Sequence, residues 1–215
     1  MQIDEDTAAL LDALLPQVPF DGWTRTAVRN ALASIGRPRE DAVLMFPNGP
    51  GEMIESAFAL MDRRMEQEAA AADLAAYRLT ARVRAIIAIR LEQTRGDKEA
   101  IRRALSWLSL PMHAPIAARI TAATVDAIWH AAGDTSADFS WYTKRGILAA
   151  VYGTTLLYWL SDHSEGDENT LRFLDRRLGD VARIGKIRKT ISAPCRLLRP
   201  RRPGRTVPAP LTPQR

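Results

Sequence analysis

Cysteine is almost absent from this chain of 215 residues, which contains Cys195 alone. A single cysteine excludes an intrachain disulfide and a cysteine metal cluster. Cys195 lies in a basic, proline-rich segment without an orienting partner, so we do not expect it to act as a nucleophile. A Gly-x-Ser-x-Gly elbow is missing as well. These absences predict a protein that is not an enzyme.

Histidine is nearly as scarce, with His113, His130 and His163 as its only occurrences. No pair of them has the spacing of a zinc site, and none follows a glutamate by three positions as in helical di-iron sites. His163 stands in an acidic loop, Ser161–Asn169, which is better interpreted as a solvated loop than as a metal site. We therefore predict no metal and no cofactor.

Strand patterns are missing too, because no stretch alternates apolar and polar residues over the length of a strand. Apolar residues recur instead at three- and four-residue steps. These patterns predict an all-α protein with about nine helices. We divide the chain into an N-terminal region (1–70), a helical bundle (71–190) and a basic tail (191–215). The prolines and arginines of the tail predict disorder.

Acidic residues do not occur from Lys186 onward, where nine lysines or arginines lie. The residues before Lys186 include 21 basic and 25 acidic side chains, a net charge of −4, so the body is not predicted to bind nucleic acid. The uncharged stretches Ala104–Ala118 and Gly146–Leu160 fall short of the about 20 residues that a membrane-spanning helix needs. With no visible signal peptide, we predict a cytoplasmic protein.

A helix predicted from Ser140 to about Ser161 organises the chain. Asp138 and Ser140 are its candidate N-cap residues. Trp141 and Tyr142 are adjacent and therefore point about 100° apart, so both cannot lie on one narrow buried stripe. We expect one of them to face solvent within a contact surface. The predicted buried face consists of Ile147, Leu148, Val151, Tyr152, Leu156, Leu157 and Trp159.

A second long helix is predicted from Asp73 to Thr94. Its arginines are interpreted as a solvated face: Arg78, Arg82, Arg84 and Arg90. Its predicted core face consists of Leu74, Tyr77, Val83, Ile86, Ile87 and Leu91.

Large apolar residues are frequent throughout the bundle, with small residues between them. A well-packed bundle accounts for them, and so does a bundle that encloses a cavity for an apolar ligand. In the second case, the candidate lipid-binding residues are Ile86, Leu105, Leu108, Met112, Ile116, Trp129, Leu148, Tyr152, Leu156 and Trp159.

Several stretches resemble one known family, the ubiquinone-biosynthesis accessory proteins called Coq-nine. The most specific is Asp138-Phe139-Ser140-Trp141-Tyr142-Thr143-Lys144-Arg145, followed by Leu148, Tyr152 and Thr155. The others are Pro19–Trp23, Phe46–Gly49 with Glu52–Ile54, and Arg172–Leu174 with Arg176-Arg177. The resemblance extends from about Asp4 to Lys189.

The resemblance implies a TetR-like all-α fold with a degenerate N-terminal helix-turn-helix, a C-terminal lipid-binding bundle and a homodimeric state. It also implies binding of isoprenoid quinone intermediates, contact with a membrane surface and association with the demethoxyubiquinone hydroxylase. In a bacterial protein that surface would be the inner membrane. The predicted partner-binding residues are Asp138, Trp141, Tyr142 and Arg145.

The chain departs from this family at its end. Mitochondrial members have a transit peptide and a final amphipathic helix, whereas prolines between Pro194 and Pro213 prevent such a helix here. We expect the basic tail to replace it electrostatically, at about 1 kcal/mol per basic residue near an anionic surface.

A TetR-like transcriptional repressor is the alternative function, by analogy of fold. The region that matches a recognition helix, Arg37–Phe46, contains Glu40, Asp41 and an apolar run in place of base-reading residues. We therefore predict no specific nucleic-acid binding.

Overall fold

The computed structural model describes residues 3–134 and 140–191, and the side chains of 3–134 and 142–181. These residues form ten α-helices, several of them joined by 3-10 turns, and no strand. The predicted all-α class is confirmed. The helices are α1 (Glu5–Leu14), α2 (Val18–Asp21), α3 (Arg25–Ser34), α4 (Ala42–Met45), α5 (Pro50–Ala71), α6 (Leu79–Gln93), α7 (Lys98–Leu108), α8 (Ala114–Ala131), α9 (Ser140–Leu160) and α10 (Glu168–Ile191).

Helix α5, and not the predicted α9, is the centre of the bundle. Pro50 lies in its first turn, where a missing N–H costs no hydrogen bond, and Gly49 before it has a φ of 78°, which glycine adopts without strain. Helix α5 packs most extensively against α8 and α6, whereas α9 packs mainly against α8. Its buried residues include Met53, Ile54, Phe58 and Met65.

Helix α9 has the predicted extent but a narrower buried face. Leu148, Val151, Tyr152, Leu156 and Trp159 are buried, as predicted. The prediction was wrong for the two remaining apolar residues of that face. Neighbours along a helix point about 100° apart, so Ile147 and Leu157, beside the buried Leu148 and Leu156, lie outside the narrow buried stripe. Ile147 is 40% exposed and Leu157 is 62% exposed.

The helix predicted to begin at Asp73 begins at Leu79. Asp73 has a left-handed backbone with a φ of 44°, which aspartate tolerates better than most residues and which separates this segment from α5. A 3-10 turn, Leu74–Ala76, follows it. Leu74 and Tyr77 therefore lie outside the core, while the remaining four predicted core residues of this helix are buried.

The N-terminal region has the outline of a helix-turn-helix with a very short second helix. Helix α3 packs against α1 and is followed by a 3-10 turn, Arg39–Asp41, and by α4. Helix α4 has only 4 residues, of which Leu44 is 78% exposed, and the buried Phe46 follows it. One turn of helix presents few side chains that could read a DNA groove.

Residue contacts divide the chain into two compact units, one that ends at Gly179 and one that begins at Asp180. The first unit contains α1 to α9 and the first half of α10. The boundary proposed near residue 70 coincides with the end of α5 within this unit. The described part of the second unit is the rest of α10, and the predicted basic tail after Ile191 lies outside the described residues.

Candidate functional site

An apolar cavity of about 290 Å³ lies between α7, α8 and α9, with Phe58 contributed by α5. Its volume is at the lower end of the range for small-molecule sites. The bundle thus contains an apolar space in addition to a packed core. Its other lining residues are Leu105, Leu108 and Ser109 from α7 and its end, Ala117, Ile120, Thr121 and Thr124 from α8, and Tyr152, Gly153, Leu156 and Leu157 from α9.

Four of the ten predicted lipid-binding residues line this cavity: Leu105, Leu108, Tyr152 and Leu156. Three of the others, Ile86, Leu148 and Trp159, are buried away from it within the core. Large apolar side chains fill space and are therefore more often packing residues than cavity walls.

The remaining three predicted lipid-binding residues do not line this cavity. Ile116 packs against the start of α5, since a Cβ on Gly51 would lie 2.9 Å from its Cδ1 atom. Trp129 is half-buried, with the Lys144 ammonium 6.0 Å from its ring centroid. Met112 lies in a 3-10 turn between α7 and α8 and is 77% exposed.

Small and polar residues shape the cavity, and the predicted set contained none of them. On α8, Ala117, Thr121 and Thr124 recur at steps of four and three residues, so they share one face. Gly153 on α9 also lines the cavity. A run of small residues on one helix face opposite a glycine is the signal that could have located this space.

The open side of the cavity is edged by exposed residues. Ser109, Thr121 and Leu157 line it and are solvent-accessible. Leu110 and Met112, in the connection from α7 to α8, are 46% and 77% exposed. Clustered exposed apolar residues are typical of interaction surfaces.

A buried ion pair lies behind the cavity wall. The Arg90 Nε atom donates to Asp62 Oδ1 at 3.1 Å, and the Thr124 hydroxyl donates to Asp62 Oδ2 at 2.8 Å. Arg90 is 2% exposed, so its assignment to a solvated face was wrong. Burial raises the pKa of Asp62, while the Arg90 guanidinium acts in the opposite direction. We call Asp62, Arg90 and Thr124 the polar floor.

The first turn of α9 contains three of the residues that the sequence analysis assigned to a contact surface or to its flank, Tyr142, Lys144 and Arg145. Tyr142 is 77% exposed, which confirms that one of the two adjacent aromatic residues faces solvent. Arg145 forms an ion pair with Asp126 of α8, and the Lys144 ammonium lies 3.4 Å from the Asp134 carboxylate. These contacts fix the start of α9 against the end of α8. Two further predicted partner-binding residues, Asp138 and the Trp141 side chain, lie outside the described residues.

A second polar cluster precedes α10. Asp162 accepts hydrogen bonds from the backbone N–H and hydroxyl groups of both Ser164 and Thr170. Burial acts to raise the pKa of Asp162, but these hydrogen bonds outweigh it and hold the pKa well below its ordinary value. His163 is exposed beside this cluster. In the described part of the chain, no group of three histidine, cysteine or carboxylate residues could hold a metal.

None of the helices that the structure describes combines the length and apolar character needed to span a membrane.

These features define a TetR-like all-α protein with an apolar cavity. The fold is similar to the crystal structure of a TetR transcriptional regulator from Nitrosomonas europaea, with a TM-score of 0.66. The match covers 83% of this chain and 99% of the regulator. At 24% sequence identity the likeness shows the fold alone.

The model of the COQ9 family matches residues 114–185, which include α8, α9 and the first part of α10. The chain is 35% identical over 191 residues to the mitochondrial ubiquinone biosynthesis protein COQ9 of Rattus norvegicus, and 35% identical to that of Homo sapiens. These alignments cover 86% of this chain but only 61% and 60% of the relatives, so the chain spans about three fifths of their length. The resemblance to the Coq-nine family is thereby confirmed.

Proposed function

We propose that this protein is a non-enzymatic, lipid-binding accessory protein of ubiquinone biosynthesis. It binds an isoprenoid quinone intermediate and presents it to the demethoxyubiquinone hydroxylase, which performs the chemistry. The observation that carries the proposal is the half-open apolar cavity between α7, α8 and α9, because α8 and α9 lie within the segment that the COQ9 family model matches. The relatives named for ubiquinone biosynthesis supply the pathway.

The cavity suits one end of a lipid and not a whole polyprenyl chain. Its volume of about 290 Å³ is small, so a long tail has to continue through the open side. Leu157 lines the cavity and is exposed, and the exposed Leu110 follows the lining residue Ser109, so these two side chains would contact lipid there. We therefore propose that the protein works at the inner membrane surface of a bacterium, with the opening turned towards the bilayer.

Helix α9 connects the cavity to the proposed partner surface. Tyr142 is in its first turn, and Tyr152 lines the cavity ten positions later. At about 1.5 Å per residue, these two positions are about 15 Å apart along one rigid helix. A hydroxylase docked around Trp141 and Tyr142 would thus lie close to the bound lipid.

A TetR-like repressor remains the second candidate because the fold is shared. Helix α4, in the position of a recognition helix, has only 4 residues and is preceded by Glu40 and Asp41. This short helix disfavours sequence-specific DNA binding. DNA binding that requires one sequence and persists at about 150 mM salt would favour the repressor instead.

Native mass spectrometry of the purified protein tests lipid binding directly. The delipidated protein would be mixed with an isoprenoid quinone precursor, and separately with a straight-chain hydrocarbon of equal length. We expect a homodimer that retains the quinone in preference to the hydrocarbon. A protein that retains neither compound contradicts the proposal.

A pull-down of the hydroxylase tests the partner surface. Tyr142→Ala should lower the affinity by about 2 kcal/mol, or roughly thirtyfold, because exposed aromatic residues dominate interface energies. Tyr77→Ala is the matched control, since Tyr77 is 58% exposed at a different place, before α6. If both substitutions lower the affinity for the hydroxylase equally, the first turn of α9 is not the docking site.

A further inference from the structure

The cavity is apolar over most of its wall, but one side rests on charged groups. Thr124 lines the cavity, and its hydroxyl donates to Asp62. Phe58 also lines the cavity, and the Arg90 guanidinium lies 5.7 Å from the centroid of its ring. Two wall residues are thus in direct contact with the buried Asp62–Arg90 pair.

Two side chains in this region make fewer hydrogen bonds than their donor groups allow. Within the described residues, the bond from Nε to Asp62 is the only hydrogen bond that the Arg90 side chain makes, so its terminal amino groups donate none. The Tyr152 hydroxyl also has no hydrogen-bond partner among the described residues. Tyr152 is only 5% exposed and lines the cavity. Neither set of donor atoms is fully enclosed by protein, and Tyr152 lines the cavity, so its hydroxyl can donate to water or to a ligand there.

The chemistry of these donors selects the group that would satisfy them. Burial raises the pKa of Tyr152, so its hydroxyl remains a neutral donor at neutral pH. Arg90 is a permanent cation, but Asp62 already balances its charge. A neutral acceptor oxygen therefore fits this side of the cavity better than a second carboxylate.

We propose that the Tyr152 hydroxyl, with Arg90 behind it, binds a ring oxygen of the lipid head group. The lipid thus enters head first, with its ring beside Phe58 and Thr124 and its tail leaving past Leu157. This inference rests on the proposed lipid-binding function and adds the orientation and the chemical class of the head group, a ring that carries neutral acceptor oxygens.

Three probes separate the contributions of head and tail: a geranyl-substituted benzoquinone, geranylbenzene with the same tail and no oxygen, and decanoate as a carboxylate lipid. Binding to the full chain would be followed by quenching of tryptophan fluorescence. Tyr152→Phe removes the hydroxyl and keeps the ring. Tyr158→Phe is the matched control on the same helix, since Tyr158 stacks on Phe173 and is not among the cavity residues.

We expect Tyr152→Phe to weaken binding of the benzoquinone about tenfold, the loss of one buried hydrogen bond, and to leave geranylbenzene binding unchanged. Tyr158→Phe should change neither affinity, and decanoate should bind more weakly than the benzoquinone.

If the wild-type chain binds all three probes and Tyr152→Phe binds the benzoquinone equally well, the proposed recognition of the head group is wrong, while lipid binding is supported. Tighter binding of decanoate than of the benzoquinone overturns the preference for a neutral head. If the wild-type chain binds none of the three, the proposed function itself fails.

Discussion

Two aspartates of this protein have little exposed surface, but their pKa values are shifted in opposite directions. Asp62, in the polar floor, and Asp162, before α10, are each 6% exposed. Burial raises the pKa of Asp62, whereas four hydrogen bonds lower the pKa of Asp162 against the same tendency. Among the described residues, Asp62 accepts two hydrogen bonds, one from Arg90 and one from Thr124. The difference has two causes: Asp62 lies in the interior of the bundle, where loss of solvation is the dominant effect, whereas Asp162 lies in a loop and has twice as many donors around it.

This contrast separates a structural cluster from a binding cluster. At Asp162, the side chain accepts from every donor that Ser164 and Thr170 direct at it, and the result is a fixed start for α10. Next to the polar floor, the Tyr152 side chain lines the cavity, and its hydroxyl has no hydrogen-bond partner among the described residues. Complete pairing indicates a role in stability, and incomplete pairing beside a cavity indicates a place for a ligand.

Breaking the buried ion pair should have the largest effect on stability. Arg90→Met leaves the Asp62 carboxylate buried without its cation, which is expected to lower the free energy of unfolding by about 3–5 kcal/mol. Urea denaturation of the variant measures this loss. Asp62→Leu combined with Arg90→Met should recover much of it, because an apolar pair of similar volume carries no desolvation penalty.

The control for this prediction is Arg84→Met on the same helix. Arg84 pairs with Asp175 at 2.5 Å, but its side chain is 38% exposed. An exposed ion pair contributes about 0–1 kcal/mol, so this variant should remain close to the wild type. Equal losses for the two arginines would show that burial of Arg90 does not matter.

Removing the carboxylate before α10 should have an intermediate effect. Asp162→Ala deletes the acceptor of four hydrogen bonds and is expected to cost about 2 kcal/mol of unfolding free energy. The thermal midpoint and the urea midpoint should both fall. Glu165→Ala, an exposed position in the same loop, should change stability by no more than about 0.5 kcal/mol. A small effect of Asp162→Ala would contradict the structural role of this cluster.

Acid should destabilise the protein through the same cluster. The lowered pKa of Asp162 means that its stabilising effect is complete above the unfolded-state pKa of about 3.9 and is lost as the pH falls through the lower folded-state value. The raised pKa of Asp62 has the opposite effect, because protonation of Asp62 at low pH favours the folded state. Unfolding midpoints at pH 6 and pH 3 should therefore differ less for Asp162→Asn than for the wild type. If acid lowers the unfolding midpoint equally in the wild type and in Asp162→Asn, the acid sensitivity does not come from Asp162.

The sequence predicts much of the backbone and little of the cavity. Apolar periodicity predicts the start of α9 at Ser140 correctly. The aromatic residues of α9 suggested that this helix is the centre of the bundle, whereas α5 is. The same periodicity places Arg90 on the buried face of α6 with Val83, Ile87 and Leu91. Arg90 was nevertheless assigned to a solvated face because it is charged. A charged residue can lie on a buried face when its partner, here Asp62, is distant in sequence, and no local pattern shows such a pairing.

The cavity escapes prediction for a different reason. A list of large apolar residues identifies side chains that fill space, and most of them, like Trp159, belong to the core. An empty volume arises where small residues such as Ala117, Thr121 and Gly153 meet across two helices. Which small residues meet depends on how the helices pack, and a single sequence does not specify that packing.

Filling the cavity from Gly153 tests whether the cavity between α7, α8 and α9 is the lipid-binding site. A Cβ added at Gly153 would meet no atom within 4 Å, so Gly153→Leu places its side chain in the cavity without a clash at its base. Gly146→Leu is the matched control, because Gly146 lies on the same helix, is exposed and is equally free of contacts. Replacing a helical glycine should keep or raise the thermal midpoint in both variants. We predict that Gly153→Leu alone loses binding of the geranyl-substituted benzoquinone, and wild-type affinity in that variant would contradict lipid binding in this cavity.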